Sequence, residues 1–168
     1  MPNQYFIETQ RLTLRPFEVS DVARIVEIFA NPNVAKWVDD GKPLSAERAK
    51  KWVAVSYDSV QKNGSSAGAL IEKSTGRMVG WGGIVHAPDD LPEIIYGFEE
   101  QVWGKGYGKE IAKAIVEDGT DIRAFKQIIA TVDPENAASV HILKSLSFRL
   151  IESGLDEHGL PTDTYQLG

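Results

Sequence analysis

The sequence predicts an α/β (α+β) fold, with a mixed, mostly antiparallel central sheet flanked by helices. Three consecutive strand-like runs, Ala67–Lys73, Met78–Val85 and Glu93–Phe98, are separated by short segments, which favours antiparallel neighbours. A helical stripe and a further strand follow, and such a crossover adds at least one parallel pair. With 168 residues, of which 42% are hydrophobic, the chain is long enough to bury one sizeable core, so we predict a single domain over residues 1–168.

The N-terminal part of the chain predicts one strand and two helices. Arg11–Arg15 alternates polar and apolar residues, which is the period of a half-buried strand. Ser20 is the expected N-cap of the first helix, and Asn31-Pro32 ends that helix because the residue before proline avoids the helical region. The second helix is expected to start at Ser45 and to end at Asn63-Gly64.

The C-terminal part predicts two more helices and three more strands. One helix runs from Tyr107 to about Arg123, and the β-branched run Gln127–Val132 follows it as a buried strand. Asn136 is the expected N-cap of the last helix. Phe148–Glu152 and Thr162–Leu167 then form a final antiparallel pair.

Composition and charge exclude several classes of protein. The chain has no cysteine, which rules out a disulfide scaffold and a cysteine nucleophile, and no His and carboxylate cluster has metal-ligand spacing, so we predict no metal site. The formal net charge of −6 argues against binding nucleic acid. No apolar run approaches the roughly 18 residues of a membrane span. The N-terminus lacks the pattern of a secretory signal, so we expect a cytoplasmic protein that does not bind membranes.

The segment Gln101–Lys109 is the most informative part of the sequence. Its glycines lie between a strand and a helix start, where backbone N–H groups and the helix dipole favour an anion such as a pyrophosphate. A dinucleotide-binding fingerprint fails because Lys109 replaces the third glycine, and a P-loop fails at Trp103 and Glu110. A third pattern, Q/R-x-x-G-x-G/A, fits completely. A plain glycine-rich turn remains the alternative.

Three blocks in the same order resemble the GCN5-related N-acetyltransferases (GNAT family), and in particular their ribosomal-protein N-terminal acetyltransferase branch. The blocks are the opening strand Glu8–Phe17, the glycine segment Gln101–Gly108, and Val132–Ser139 leading to Leu146-Ser147-Phe148. The resemblance implies the acyl-CoA N-acyltransferase fold, with acetyl-CoA as co-substrate. Ser147 replaces a family glycine at the helix end, where a left-handed residue is usual, so we expect it to cost some stability.

The resemblance also implies which residues bind coenzyme A. The pantetheine arm would pair with the backbone of the strand before the loop, and Asn136 would contact the arm. The pyrophosphate would lie on backbone N–H groups of the loop and of the following helix start. The implied cofactor-binding residues are Tyr96, Gly97, Phe98, Gln101, Val102, Trp103, Gly104, Lys105, Gly106, Tyr107, Gly108 and Asn136.

The reaction implied by the resemblance is direct attack of an amine on the acetyl thioester in a ternary complex. Many relatives protonate the leaving thiolate with a tyrosine seven residues after the asparagine, but that position is Leu143 here. Ser139 is the expected substitute. Glu93, at the start of the strand that leads to the cofactor, is the expected base acting through a water. Weaker candidates are Glu99, Glu72, His86 and His141.

The acceptor is the least determined part of the prediction. The early helices and the last hairpin hold Trp37, Asp39, Asp40, Trp52 and the loop Asp156–His158, and their acidic groups would suit a cationic amine. A protein N-terminus, a polyamine or an aminoglycoside would each fit, and the protein would act as a monomer or homodimer. The alternative reading is a non-catalytic acyl-CoA-binding or regulatory module on the same fold.

Overall fold

The computed structural model describes residues 5–86 and 91–168. Its centre is an eight-stranded sheet. The strands are β1 (Ile7–Glu8), β2 (Leu12–Pro16), β3 (Ala67–Glu72), β4 (Arg77–His86), β5 (Pro92–Phe98), β6 (Ile128–Val132), β7 (Arg149–Leu155) and β8 (Pro161–Leu167). Their order in the sheet is β1-β2-β3-β4-β5-β6-β8-β7. All neighbours are antiparallel except β5 and β6, which are parallel.

Helices cover both faces of the sheet. The helices are α1 (Val22–Phe29), α2 (Pro32–Ala35), α3 (Ala46–Asn63), α4 (Tyr107–Glu117) and α5 (Ala137–Ser145). One face of the sheet packs against α4 and α5 over a first core that includes Leu14, Ile84 and Ile111. The other face packs against α1, α2 and α3 over a second core that includes Phe29 and Trp81. The predicted fold class is confirmed.

The helix boundaries follow local capping chemistry, and one predicted cap is wrong. Ser45 Oγ accepts a hydrogen bond from the Arg48 N–H (3.2 Å), as predicted, and Asn136 Oδ1 accepts one from the Ser139 N–H (3.4 Å). Ser20 does not cap α1. It lies in a short 3-10 turn, and Asp21 accepts a hydrogen bond from the Glu18 N–H (2.7 Å) and pairs with Arg15. Because the 3-10 turn already includes Ser20, the residue that precedes α1 is Asp21, and its side chain makes no capping bond to α1.

Two other boundaries differ from the predictions. Pro32 ends α1 as expected but also begins α2, because its fixed φ suits the first position of a helix. The helix predicted from Tyr107 to about Arg123 extends to Ile122, but only Tyr107–Glu117 is α-helical, and Asp118–Ile122 forms a π-helical turn. A Cβ at Gly119 would lie 2.8 Å from Ile128 Cδ1, so glycine lets this turn pack closely against the sheet.

Candidate active site

The two central strands separate as they approach the glycine segment. β5 pairs with β6 at Glu93 and Ile129, and no further pair forms toward their C-terminal ends within the described residues. By contrast, β5 pairs with β4 along its whole length, from Pro92 to Phe98. Because parallel strands end at the same edge of a sheet, this separation opens a cleft beside the last residues of β5.

The edge of β5 that faces this cleft presents backbone hydrogen-bonding groups. The Glu99 N–H donates to the Val79 carbonyl (2.8 Å). Since bonding alternates along an antiparallel ladder, the N–H and C=O groups of Tyr96 and Phe98 point away from β4 and toward the cleft. The Phe98 carbonyl already accepts from Trp103 Nε1 (2.9 Å). The Tyr96 backbone and the Phe98 N–H are therefore the groups positioned to pair with a ligand.

The glycine segment presents a run of backbone amides. Gly104 and Gly106 both have φ of +82°, a left-handed conformation that favours glycine. Within the described residues, the N–H groups from Gly104 to Lys109 donate to no acceptor. The N–H groups of Val102 and Trp103 are instead used inside a 3-10 turn, by the carbonyls of Glu99 and Glu100. The run of backbone N–H groups without acceptors thus begins at Gly104, and not at Gln101 as the predicted anion site does.

Contacts with the N-terminal strands hold this segment in place. Arg11 donates to the Lys105 carbonyl (2.9 Å) and to Glu110 Oε1 (2.8 Å), and Thr9 Oγ1 donates to Glu110 Oε2 (2.6 Å). The Tyr107 hydroxyl donates a hydrogen bond to Glu72 Oε2 (2.6 Å), and this bond lowers the pKa of the Glu72 carboxyl. The loop is therefore fixed before any ligand binds.

One cavity of about 1310 Å³ connects the glycine segment, the cleft and the helices α2 and α3. Its lining contains both predicted catalytic residues, Glu93 and Ser139, and most of the predicted cofactor-binding residues. The exceptions are Gln101 and Lys105. The Lys105 ammonium lies 3.6 Å from the Glu72 carboxylate instead of facing the cavity. The predicted cofactor residues that line the cavity are Tyr96, Gly97, Phe98, Val102, Trp103, Gly104, Gly106, Tyr107, Gly108 and Asn136.

Gly97 has a packing role as well as a place in the cleft. A Cβ at this position would lie 2.1 Å from Trp81 Cζ2, so the indole of Trp81 occupies the space that a side chain would need. The absence of a side chain lets Trp81 lie against β5 and form part of the cavity wall.

The two predicted catalytic residues lie on opposite faces of the sheet. Side chains alternate along β5, so Glu93 shares a face with Ile95 and the second core, while Tyr96 shares a face with Ile94 and the first core. Glu93 Oε2 accepts a hydrogen bond from Thr131 Oγ1 (3.1 Å). Ser139 is on α5, on the face of Tyr96. The cleft between β5 and β6 joins the two sides.

Ser139 has a partner that sequence reasoning did not assign to it. Its Oγ lies 3.1 Å from the Tyr96 hydroxyl, and burial raises the pKa of Tyr96, so this hydroxyl keeps its proton at neutral pH. No sequence pattern indicates this contact, because the two residues are 43 positions apart and lie on different elements. Leu143, which replaces the family tyrosine, is buried in the core beside the cavity.

The weaker base candidates have other contacts. Glu99 is buried and ion-paired with both Arg24 and Arg77, which gives it a structural role. His86 Nε2 lies 3.2 Å from Ser65 Oγ, and its ring contacts Phe125. His141 is exposed on α5 and lines the cavity.

The predicted acceptor residues are brought together, but their acids are already paired. Trp37, Asp39, Asp40 and Trp52 all line the cavity. Arg48 bonds to Asp39 and lies 3.4 Å from Asp40, and His158 Nε2 lies 2.9 Å from Asp39. The hydrogen bond to Asp39 raises the pKa of His158.

The same region contains the one group of potential metal ligands found among the described residues. Asp39, Glu157 and His158 each offer an atom, and these atoms lie within 4.8 Å of one another. All three residues are exposed, and Asp39 is already bound by Arg48. No described helix combines the length and apolar character needed to cross a membrane.

Comparison with known proteins agrees with this geometry. Residues 11–149 match the model of an acetyltransferase (GNAT) domain. An uncharacterized N-acetyltransferase of Bacillus subtilis strain 168, YnaD, is 31% identical over 85% of this chain and 82% of its own length. The crystal structure of a GNAT-family acetyltransferase from Bacillus anthracis superposes with a TM-score of 0.81 at 24% identity, covering 97% of this chain and 98% of that one.

A second solved structure shares the same fold. RimL, a ribosomal L7/L12 alpha-N-protein acetyltransferase in complex with coenzyme A, has a TM-score of 0.82 at 16% identity and covers 97% of both chains. The family match extends from β2 to the start of β7 and includes the cleft, the glycine segment and α5. This chain belongs to the GNAT family of acetyltransferases.

Proposed function

We propose that this chain binds acetyl-CoA in the cleft between β5 and β6 and transfers its acetyl group to an amine, and that residues 1–168 act as one domain. The observation that carries the proposal is the run of N–H groups from Gly104 to Lys109 without acceptors, at the start of α4. A dianionic pyrophosphate satisfies several such donors at once. The CoA complex of RimL, which has the same fold, supports this choice of ligand.

The remaining contacts to the co-substrate follow from the cleft. The pantetheine arm pairs with the cleft-facing backbone of Tyr96, extending the sheet where β6 has turned away, and the Phe98 N–H is left for the thioester oxygen. The side-chain oxygen of Asn136 accepts the capping hydrogen bond of α5, so its NH₂ group is available to donate to the arm. The arm thereby carries the thioester into the opening between the two faces.

The chemistry uses one residue from each face. The amine approaches from the α2 and α3 side, where Glu93 accepts its proton through a water. The nitrogen attacks the thioester carbon, the Phe98 N–H stabilises the oxyanion, and the C–S bond then breaks. Ser139 donates a hydrogen bond to the departing thiolate, and Tyr96 donates a hydrogen bond to Ser139. The thiolate then takes a proton from solvent, to which Glu93 returns the proton of the amine. The products are an acetamide and coenzyme A.

Calorimetric titration with acetyl-CoA tests the cofactor site, and Gly104→Ala has a matched control in Gly76→Ala. Both glycines have positive φ (+82° and +70°), and a Cβ at either would meet nothing within 4 Å. Each substitution should lower the free energy of unfolding by about 1 kcal/mol. Only Gly104→Ala should weaken acetyl-CoA binding, by roughly tenfold or more, because the strain turns amides away from the pyrophosphate.

Four outcomes would contradict the proposal in different ways. Equal loss of binding in both variants would mean that the glycine segment does not hold the ligand. No binding at millimolar acetyl-CoA, or displacement of acetyl-CoA by ATP at equal concentration, would point to another ligand. Tight binding without thiol release for any amine would favour the alternative, a non-catalytic acyl-CoA-binding module.

A further inference from the structure

The acceptor side of the cavity has an apolar, largely pre-formed wall. Val38, Leu44 and Trp52 are partly buried side chains that line it. Behind them, Phe29 and Trp81 are buried, with ring centroids 4.6 Å apart, and Trp52 meets Phe29 edge-on at 5.9 Å. Buried aromatic rings packed against one another in this way have few alternative arrangements, so the wall keeps its shape without a ligand.

This wall lies on the face of the sheet that also carries Glu93. Ile95, on the same face of β5, lines the cavity between Glu93 and the cleft. An amine nitrogen placed near Glu93 and the cleft therefore has its substituent directed against the apolar wall. An apolar substituent removes that wall from water, whereas a charged substituent would lose its own hydration without a partner.

The charges around this wall are mainly positive. Lys36, Lys42, Arg48 and Lys51 line the cavity, against Asp39, Asp40 and Glu93, and Glu93 is already assigned to the reacting nitrogen. Asp39 and Asp40 are both engaged by Arg48, and Asp39 is also engaged by His158. Their pairing removes the acidic attraction that the sequence suggested for a polyamine or an aminoglycoside. The exposed lysines instead repel an acceptor that carries a second positive charge.

We infer that the acceptor is an amine with an apolar group of aromatic size beside its nitrogen and with no second cationic group. This inference rests on the proposed acetyl transfer and specifies its substrate class. A small-molecule amine and a peptide N-terminus with an apolar first residue share this chemistry. The inference excludes polyamines, which the sequence alone left open.

Thiol release at saturating acetyl-CoA tests this specificity with a matched set of amines. We expect kcat/KM for 2-phenylethylamine to exceed that for ethylamine and for spermidine by roughly tenfold or more, as an apolar pocket discriminates by size. The tripeptides Phe-Ala-Gly and Gly-Ala-Gly form a second arm, which separates a peptide acceptor from a free amine. Equal rates for all amines, or spermidine as the best substrate, would overturn the inference. No release with any amine, despite bound acetyl-CoA, would instead overturn the proposed function.

Two variants locate the source of the specificity. Leu44→Ala removes apolar surface from the wall at a partly buried loop position. It should lower kcat/KM for 2-phenylethylamine, relative to kcat/KM for ethylamine, by about threefold. Lys51→Glu should raise kcat/KM for spermidine by about two- to fivefold. Lys50→Glu is the control, because Lys50 is the adjacent exposed lysine on α3 and does not line the cavity. An equal response of both lysine variants, or an unchanged ratio in Leu44→Ala, would place the acceptor elsewhere.

Discussion

At the scale of single residues, the contact between Tyr96 and Ser139 supports the proposed role of Ser139 beside the leaving thiolate. The family tyrosine is replaced by Leu143, which would leave the thiolate without a phenolic donor on α5. The structure supplies a phenol from β5 instead, 3.1 Å from Ser139 Oγ. Because burial raises the pKa of Tyr96, the phenol stays protonated at neutral pH and can orient the serine hydroxyl toward the cleft.

Kinetics of Ser139→Ala and Tyr96→Phe test this pair. We expect Ser139→Ala to lower kcat by roughly 10- to 100-fold. Tyr96→Phe, which removes one supporting hydrogen bond, should lower kcat about 3- to 10-fold with little change in the KM for acetyl-CoA. In the Ser139→Ala background, Tyr96→Phe should have almost no further effect. Additive effects would refute the pairing, and Ser145→Ala, on the exposed side of the same helix, is the control.

The structural features that could be predicted from the sequence are the local ones. Gly104 and Gly106 could be predicted because a left-handed backbone leaves a direct signature in residue type. The structural role of Glu99 could not be predicted, because its ion-pair partners Arg24 and Arg77 lie on α1 and β4, 75 and 22 positions away. The Tyr96–Ser139 contact likewise depends on how far β5 and β6 separate, which no local pattern encodes.

At the scale of elements, the end of α5 shows how local geometry and sequence can disagree. Ser147 has φ of +70°, in the left-handed position that the family fills with glycine. The surrounding hydrogen bonds still form a complete Schellman motif, with Phe148 N–H donating to the Leu143 carbonyl (3.0 Å) and Ser147 N–H to the Lys144 carbonyl (3.1 Å). The buried side chains of Leu143 and Phe148 belong to the same core and hold this turn closed.

Ser147→Gly should therefore stabilise the protein. Removing the Cβ relieves about 1 kcal/mol or more of strain in the left-handed conformation. The greater conformational entropy of glycine in the unfolded chain offsets part of this gain in stability. We expect the free energy of unfolding to rise by about 0.5 kcal/mol, measured by urea denaturation, with unchanged activity. Ser145→Gly, inside the last turn of α5, should instead lower it by roughly 0.5 kcal/mol. A loss of stability in Ser147→Gly would contradict this account.

At the scale of the whole molecule, the cleft exists because the sheet is held together on both sides of its opening. Strands β1 to β5 form one continuous antiparallel unit, and β6, β8 and β7 form another. Hydrogen bonds from Thr9 and Arg11 to Glu110, about a hundred positions later in the chain, anchor the glycine segment to the first unit. This anchor lets the loop keep its amides pointed at the cleft while β6 turns away.

Breaking that anchor should weaken both the fold and the cofactor site. Although burial alone would raise the pKa of Glu110, hydrogen bonds from Thr9 and Arg11 hold it below its usual value. Its contribution is therefore present at neutral pH and is lost as the pH falls through the folded pKa. Glu110→Gln should lower the free energy of unfolding by about 1 kcal/mol at pH 7, since Arg11 is partly exposed, and weaken acetyl-CoA binding several-fold. Urea denaturation should show this difference in the free energy of unfolding between wild type and variant disappearing below about pH 4.

Glu117→Gln is the control, because Glu117 is an exposed carboxyl on the same helix, and it should change neither stability nor binding. A stability difference between wild type and Glu110→Gln that persists to pH 3 would mean that the anchor does not depend on the Glu110 charge.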